Sequence, residues 1–133
     1  MKPLSSLAVL FLLSFSSCKK TEHCEKDDSH FTGNWRFTSF VVENGPQPVE
    51  LMKSCNNDDV VTFNADHTYT WDDKTSVCSP SVSHSGTWEL KNGLLYVDAV
   101  DYTITGFDCQ TLLLSKMNYQ GTTGKATIVV KRL

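Results

Sequence analysis

The chain has 133 residues, of which 20% are charged and 11% aromatic, with only 7 Gly and 4 Pro. That is one domain of globular composition, which excludes a disordered or collagen-like chain. Twelve basic against 15 acidic residues give a net charge of -3, which argues against the basic face of a nucleic-acid-binding protein. Five cysteines leave one without an intramolecular partner.

Residues 1–17 read as a signal peptide. Lys2 supplies a positive start, Leu4 to Phe15 an apolar run, and Ser16-Ser17 a small-residue exit. The run is shorter than the roughly 20 apolar residues a spanning helix needs. Cleavage before Cys18 leaves 116 residues with a net charge of -4. One reading makes Cys18 an ordinary thiol after a common signal. The sharper reading is that Leu13-Ser14-Phe15-Ser16-Ser17-Cys18 resembles a lipobox, in the relaxed form of Bacteroidetes lipoproteins. That resemblance implies lipidation of Cys18, a membrane partner through the anchor, and an outer-membrane location facing periplasm or surface. No Asp follows Cys18, so nothing resembles an inner-membrane retention signal. Residues 18–30 are polar and charged and read as the lipidated tether.

Residues 31–133 form the folded domain. Apolar residues alternate in short runs between regularly spaced turn signals, the pattern of an all-β sandwich or barrel. The first strand is expected over Asn34–Val42, with Trp35, Phe37, Ser39 and Val41 on one face. Pro48 to Lys53 carries a possible helical turn. The next strands are expected over Asp59–Asn64 and Thr68–Asp72. The loop between them puts His67 at a left-handed position, a register in which Phe63 faces Tyr69 and Val61 faces Trp71. Ser85–Leu90 and Leu94–Val97 flank Asn92-Gly93, a strong hairpin signal because a type I′ turn needs positive φ twice. Tyr102–Gly106, Thr111–Ser115 and Ala126–Arg132 complete eight strands. Short links favour antiparallel neighbours.

A meander of eight strands has two ends, and the cysteines test it. Cys55 and Cys78 fall in links at the upper end. Cys24 and Cys109 fall at the lower end. Four cysteines allow three pairings. A disulfide needs Cα atoms within about 7 Å, whereas a five-residue strand is already roughly 17 Å long. Only Cys55–Cys78 with Cys24–Cys109 avoids crossing that height, and export favours oxidation. No C-x-x-C spacing exists, so no metal site is expected.

Thr32-Gly33-Asn34-Trp35 opens the first strand with G-x-W, and Arg132 ends the last. Together with the meander, Gly33, Trp35 and Arg132 resemble the lipocalin family. Cys55-Asn-Asn-Asp-Asp-Val-Val-Thr-Phe-Asn-Ala-Asp66 and Gly86-Thr-Trp88-Glu-Leu90 resemble the lipocalin-like domains of Bacteroidetes lipoproteins. The resemblance implies an eight-stranded antiparallel up-and-down barrel in which Arg132 packs over Trp35 and closes the base. It departs at His67, where the similar domains usually show Gly. Gly33-x-Trp35 and Gly86-x-Trp88 also hint at an internal repeat.

Function then turns on the lumen. Val61, Leu112, Leu114 and Ile128 point inward, with Phe37, Phe63, Tyr69, Trp71, Trp88 and Tyr102 as the candidate ligand-lining residues. An eight-stranded barrel is just wide enough to be filled by side chains or to hold one small ligand. Two functions follow: binding a small hydrophobic ligand, or a filled barrel acting as an envelope-structural or protein-interaction module through its upper loops. Asp58, Asp59, Asp72, Asp73, Asp98 and Asp101 fall on the upper rim and are expected to be solvated. His23, His30, His67 and His84 lie in no nucleophile or metal motif, so neither an enzyme nor a cofactor is expected.

Overall fold

The structure, a computed structural model, describes residues 24–133. The leader and Cys18 lie outside the described residues. One helical turn, α1 (Asp28–Phe31), precedes nine strands: β1 (Gly33–Glu43), β2 (Val49–Glu50), β3 (Val60–Phe63), β4 (Thr68–Asp72), β5 (His84–Lys91), β6 (Leu94–Val97), β7 (Val100–Phe107), β8 (Thr111–Met117) and β9 (Lys125–Arg132). All pairings are antiparallel, β3 to β9 follow one another, and β1 pairs with both β3 and β9. The eight long strands therefore close into a barrel, which removes the exposed sheet edge.

The ninth strand, β2, fills a gap. β3 has only four residues and pairs with β1 over Gly33–Arg36. Higher up, Val41 and Val42 pair instead with Glu50 and Val49. The Glu50 carboxylate accepts from the Phe40 and Met52 N–H groups at 2.9 and 3.0 Å. A short strand thus replaces the helical turn expected from Pro48 to Lys53, because these residues satisfy a free edge of β1. The one turn nearby is a 3-10 turn at Ser54–Asn56.

β1 itself corrects the expected face. A bulge between Phe37 and Ser39 inserts one residue against β9. Beyond it the two faces exchange, so Val42 is buried and Phe40 joins the core where Ser39 and Val41 were expected. The β3–β4 register is the expected one, with Phe63 opposite Tyr69 and Val61 opposite Trp71. His67 takes φ 65°, and the Asn92-Gly93 pair takes φ 54° and 77°. A second two-residue turn lies at Asp98-Ala99, both at positive φ, so β7 begins at Val100 rather than Tyr102. No glycine announces it.

Both disulfides join the cysteines that share an end. Cys24–Cys109 has a Cα separation of 5.5 Å at the base, and Cys55–Cys78 one of 5.3 Å between the upper links.

Candidate ligand-binding cavity

The base is built around Trp35, which is fully buried. Its partner across β1 and β9 is Arg132, whose guanidinium carbon lies 4.4 Å from the indole centroid. Arg132 Nε donates to the Cys109 carbonyl at 2.8 Å and Nη1 to Thr32 at 3.0 Å, while Nη2 donates to His30. Gly33 has φ +130°, and a Cβ there would lie 2.8 Å from Arg132 Nη1. The glycine of G-x-W is needed both for the backbone and for the arginine. Gly86 has no positive φ and instead leaves room for the Asp98 carboxylate, so the two G-x-W glycines meet different needs.

α1 completes the floor. Asp27 caps it, accepting from the His30 N–H at 3.0 Å. Hydrogen bonds from Ser29 and His30 hold the Asp27 carboxyl down to about 2. Phe31 is fully buried, 4.6 Å from Phe107 between ring centroids, and its carbonyl accepts from Trp35 Nε1 at 2.8 Å. Trp88 joins this floor, against Phe63 at 5.3 Å and His67 at 5.1 Å. Its indole N–H donates to the Asn64 carbonyl at 3.0 Å. Trp88, expected among the ligand-lining residues, therefore belongs to the closed base. β5 runs downward from His84, so Trp88 lies in its lower half beside the Asn64–Thr68 turn, and its ring meets Phe31 of α1 rather than open space.

Above the floor the lumen is open. A cavity of about 280 Å³ is lined by Phe37, Phe63, Tyr69, Trp71 and Tyr102, the other five candidates. Val61, Leu112, Leu114 and Ile128 line it as well. The sequence left filled and hollow barrels open; the lower half is filled and the upper half hollow. Phe40, Tyr119 and Val100 are among the lining residues that the sequence reading did not place in the lumen, beside Leu95, Val97, His84 and Asp98. Phe40 is there because the bulge turned it inward, Tyr119 because it lies in a 3-10 turn, and Val100 because β7 starts earlier. A groove of about 290 Å³ shares Phe37, Phe40 and Trp71 with the cavity. It reaches Leu51, Met52, Cys78 and Val82 in the upper links, so the mouth runs between the disulfide-pinned loops.

The six rim acids separate into different environments. Asp72 pairs with Lys74, and Asp101 pairs with Lys116 at 2.6 Å. Asp58 accepts from the Ser76 N–H at 3.0 Å. Asp59 and Asp73 are buried, against the expectation of a solvated rim. They are buried because they hold the loops down. Asp59 Oδ2 accepts from Trp71 Nε1 at 2.9 Å and Asn56 Nδ2 at 3.0 Å. Asp73 accepts from the N–H groups of Cys78 at 3.1 Å and Val82 at 3.0 Å. Burial raises the Asp73 carboxyl, but the Val82 and Cys78 N–H groups outweigh it, and the net shift is downward.

Asp98 lines the cavity itself. It accepts from the Tyr69 hydroxyl at 2.5 Å and the Thr87 N–H at 3.0 Å. Those two bonds hold its carboxyl below the ordinary value. Burial, together with the bond to Asp98, pushes the Tyr69 phenol well up. Burial raises Tyr102 and Tyr119 likewise. All three phenols are neutral at pH 7.

A closed antiparallel barrel with a sealed base and an apolar, aromatic upper cavity is the lipocalin-like class of β-barrel, with room for one small ligand. The chain belongs to the lipocalin-like domain family, whose match covers residues 31–123. No curated protein matches the sequence.

Proposed function

We propose that this domain is a non-enzymatic binding module that holds one small apolar molecule in the upper half of its barrel. The observation that carries the reading is the 280 Å³ aromatic cavity above a sealed floor. A cavity of about 150 Å³ accepts benzene, so this one suits a ligand of one or two rings. The histidines support a binding role over catalysis. His67 stacks on Trp88, His30 pairs with Asp27, and His84 Nδ1 lies 2.7 Å from the Val82 carbonyl. The reading places the domain on a tether from lipidated Cys18, in an outer membrane, facing periplasm or surface. The lipobox-like stretch before Cys18 supports that placement.

Displacement of a lipophilic fluorescent dye, read beside native mass spectrometry of the purified protein, tests the binding. Uptake of one dye per chain is expected, and its loss in Trp71→Ala. No uptake by the folded protein refutes the proposal. For the anchor, Cys18→Ala is expected to leave the membrane fraction, and retention there refutes lipid anchoring.

A second reading is favoured by a separate observation. Val49, Leu51, Val77 and Val100 are exposed hydrophobics in or beside the upper links. A protein partner docking over the mouth would cover them. A soluble Leu51→Asp variant that keeps dye binding but loses that partner would separate the two roles.

A further inference from the structure

Among the six acids of the upper rim, Asp98 alone lines the cavity. Its place there is built. The tight Asp98-Ala99 turn holds both residues at positive φ, and Gly86 provides the space over which the carboxylate lies. Any Cβ at position 86 would collide with both carboxylate oxygens. The Thr87 N–H and the Tyr69 hydroxyl each donate one hydrogen bond to it. A carboxylate has about four lone-pair sites, so acceptor capacity remains.

Its charge remains too. Asp72 and Asp101 have their lysines, but among the described residues no Lys or Arg pairs with Asp98, and none lines the cavity. The groups nearest the charge select further. Tyr69 already spends its proton on Asp98 and has none to offer a ligand oxyanion. His84, on the same wall, lies 2.7 Å from the Val82 carbonyl through Nδ1. A carbonyl only accepts, so Nδ1 carries a proton, and His84 is the one basic side chain among the cavity-lining residues. Around them stand the rings of Phe37, Phe40, Trp71, Tyr102 and Tyr119. Aromatic faces attract a cation within about 6 Å of their centroids. The domain adds a weaker field of the same sign, since residues 24–133 carry 14 Asp and Glu against 9 Lys and Arg.

We propose that the cavity selects an apolar molecule of one or two rings bearing a single cationic nitrogen, with that nitrogen at Asp98 and its apolar body among the aromatic rings below. A fatty acid or other apolar carboxylate would bring a second negative charge to the same wall. The inference rests on the binding role proposed above and names the ligand class for that cavity.

Three probes of matched size test it on the mature chain: 2-phenylethylamine, 2-phenylethanol and 3-phenylpropionate, titrated by calorimetry at pH 7. The amine is expected to bind at least 10-fold more tightly than the alcohol, and the carboxylate more weakly than either. Asp98→Asn is expected to abolish the amine's advantage and leave the alcohol unchanged. Asparagine tolerates the left-handed turn and still accepts from Tyr69. In the unmutated protein, raising the salt from 0.02 to 0.5 M should weaken the amine several-fold and spare the alcohol. Equal binding of amine and alcohol, tighter binding of the carboxylate, or an amine preference that survives both Asp98→Asn and salt overturns the inference. If the lipophilic dye binds and the amine shows no advantage, only the ligand class is wrong. If neither dye nor any probe binds, the cavity's binding role falls with it.

Discussion

Replacing Phe31 with alanine removes the plug from the base of the barrel. Phe31 is fully buried and packs on Phe107 and Trp88. Losing about 100 Å² of buried ring surface at roughly 25 cal/mol per Å² costs about 2.5 kcal/mol. A residual void of about 60 Å³ at roughly 24 cal/mol per Å³ adds about 1.5 kcal/mol. The sum, about 4 kcal/mol, lies within the range for buried phenylalanines. With about 110 ordered residues and roughly 2.1 cal/mol/K of unfolding entropy per residue, Tm should fall by about 17 °C. The Phe31 carbonyl still accepts from Trp35, so the loss reports the ring and not the backbone contact. Urea unfolding followed by tryptophan fluorescence, with calorimetry for Tm, measures it. Glu25→Ala, exposed just before the same turn, should stay within about 0.5 kcal/mol. A Phe31→Ala cost below about 1 kcal/mol would show that α1 does not seal the floor, and the reasoning would fail.

Other consequences are equally measurable. Chain entropy assigns about 4.6 kcal/mol to Cys24–Cys109, which closes 85 residues, and about 3.4 kcal/mol to Cys55–Cys78, which closes 23. Paired Cys→Ala variants compared by urea unfolding should therefore rank the basal bridge above the upper one. Gly33→Ala should cost at least about 1–2 kcal/mol, because it puts a Cβ at a positive φ and against Arg132; an unchanged near-UV tryptophan spectrum would contradict this. Asp73 and Asp98 both have folded-state pKa values below the ordinary carboxylate value. Their contribution is present above the unfolded value, near 3.9, and disappears as pH falls through the lower folded values. The urea midpoint should drop between about pH 4.5 and pH 2, less steeply in Asp73→Asn; an unchanged slope in that variant would remove Asp73 from the account.

Much of the fold is legible along the chain because its causes are local. Alternation fixes which face of Val61-Thr62-Phe63 points inward, and Asn92-Gly93 fixes a turn through its own backbone preference. The disulfide pairing is legible for a topological reason: two cysteines at one end cannot reach the other. Where the causes are tertiary, the sequence reading stops. The β1 bulge is set by the register against β9, and it exchanged Ser39 and Val41 for Phe40 and Val42. The Asp98-Ala99 turn contains no glycine and is held by Tyr69, Thr87 and the space over Gly86, residues far away in the chain. Asp59 and Asp73 read as rim acids because a run of aspartates reveals nothing of the loop N–H groups and indole that fold over them.

The sequence alone determined an all-β meander and its two disulfides, since each follows from periodicity or spacing, while the Gly33, Trp35, Arg132 closure is what its resemblance to the lipocalin family implies. Only the tertiary structure decided that the barrel is filled below and hollow above. That outcome depends on where each ring lands along the axis. α1 carries Phe31 up into the base beside Trp35 and Trp88, and no ring of similar bulk fills the space above them. The one carboxylate left facing that space, Asp98, owes its position to packing across three strands, which no stretch of the chain records by itself.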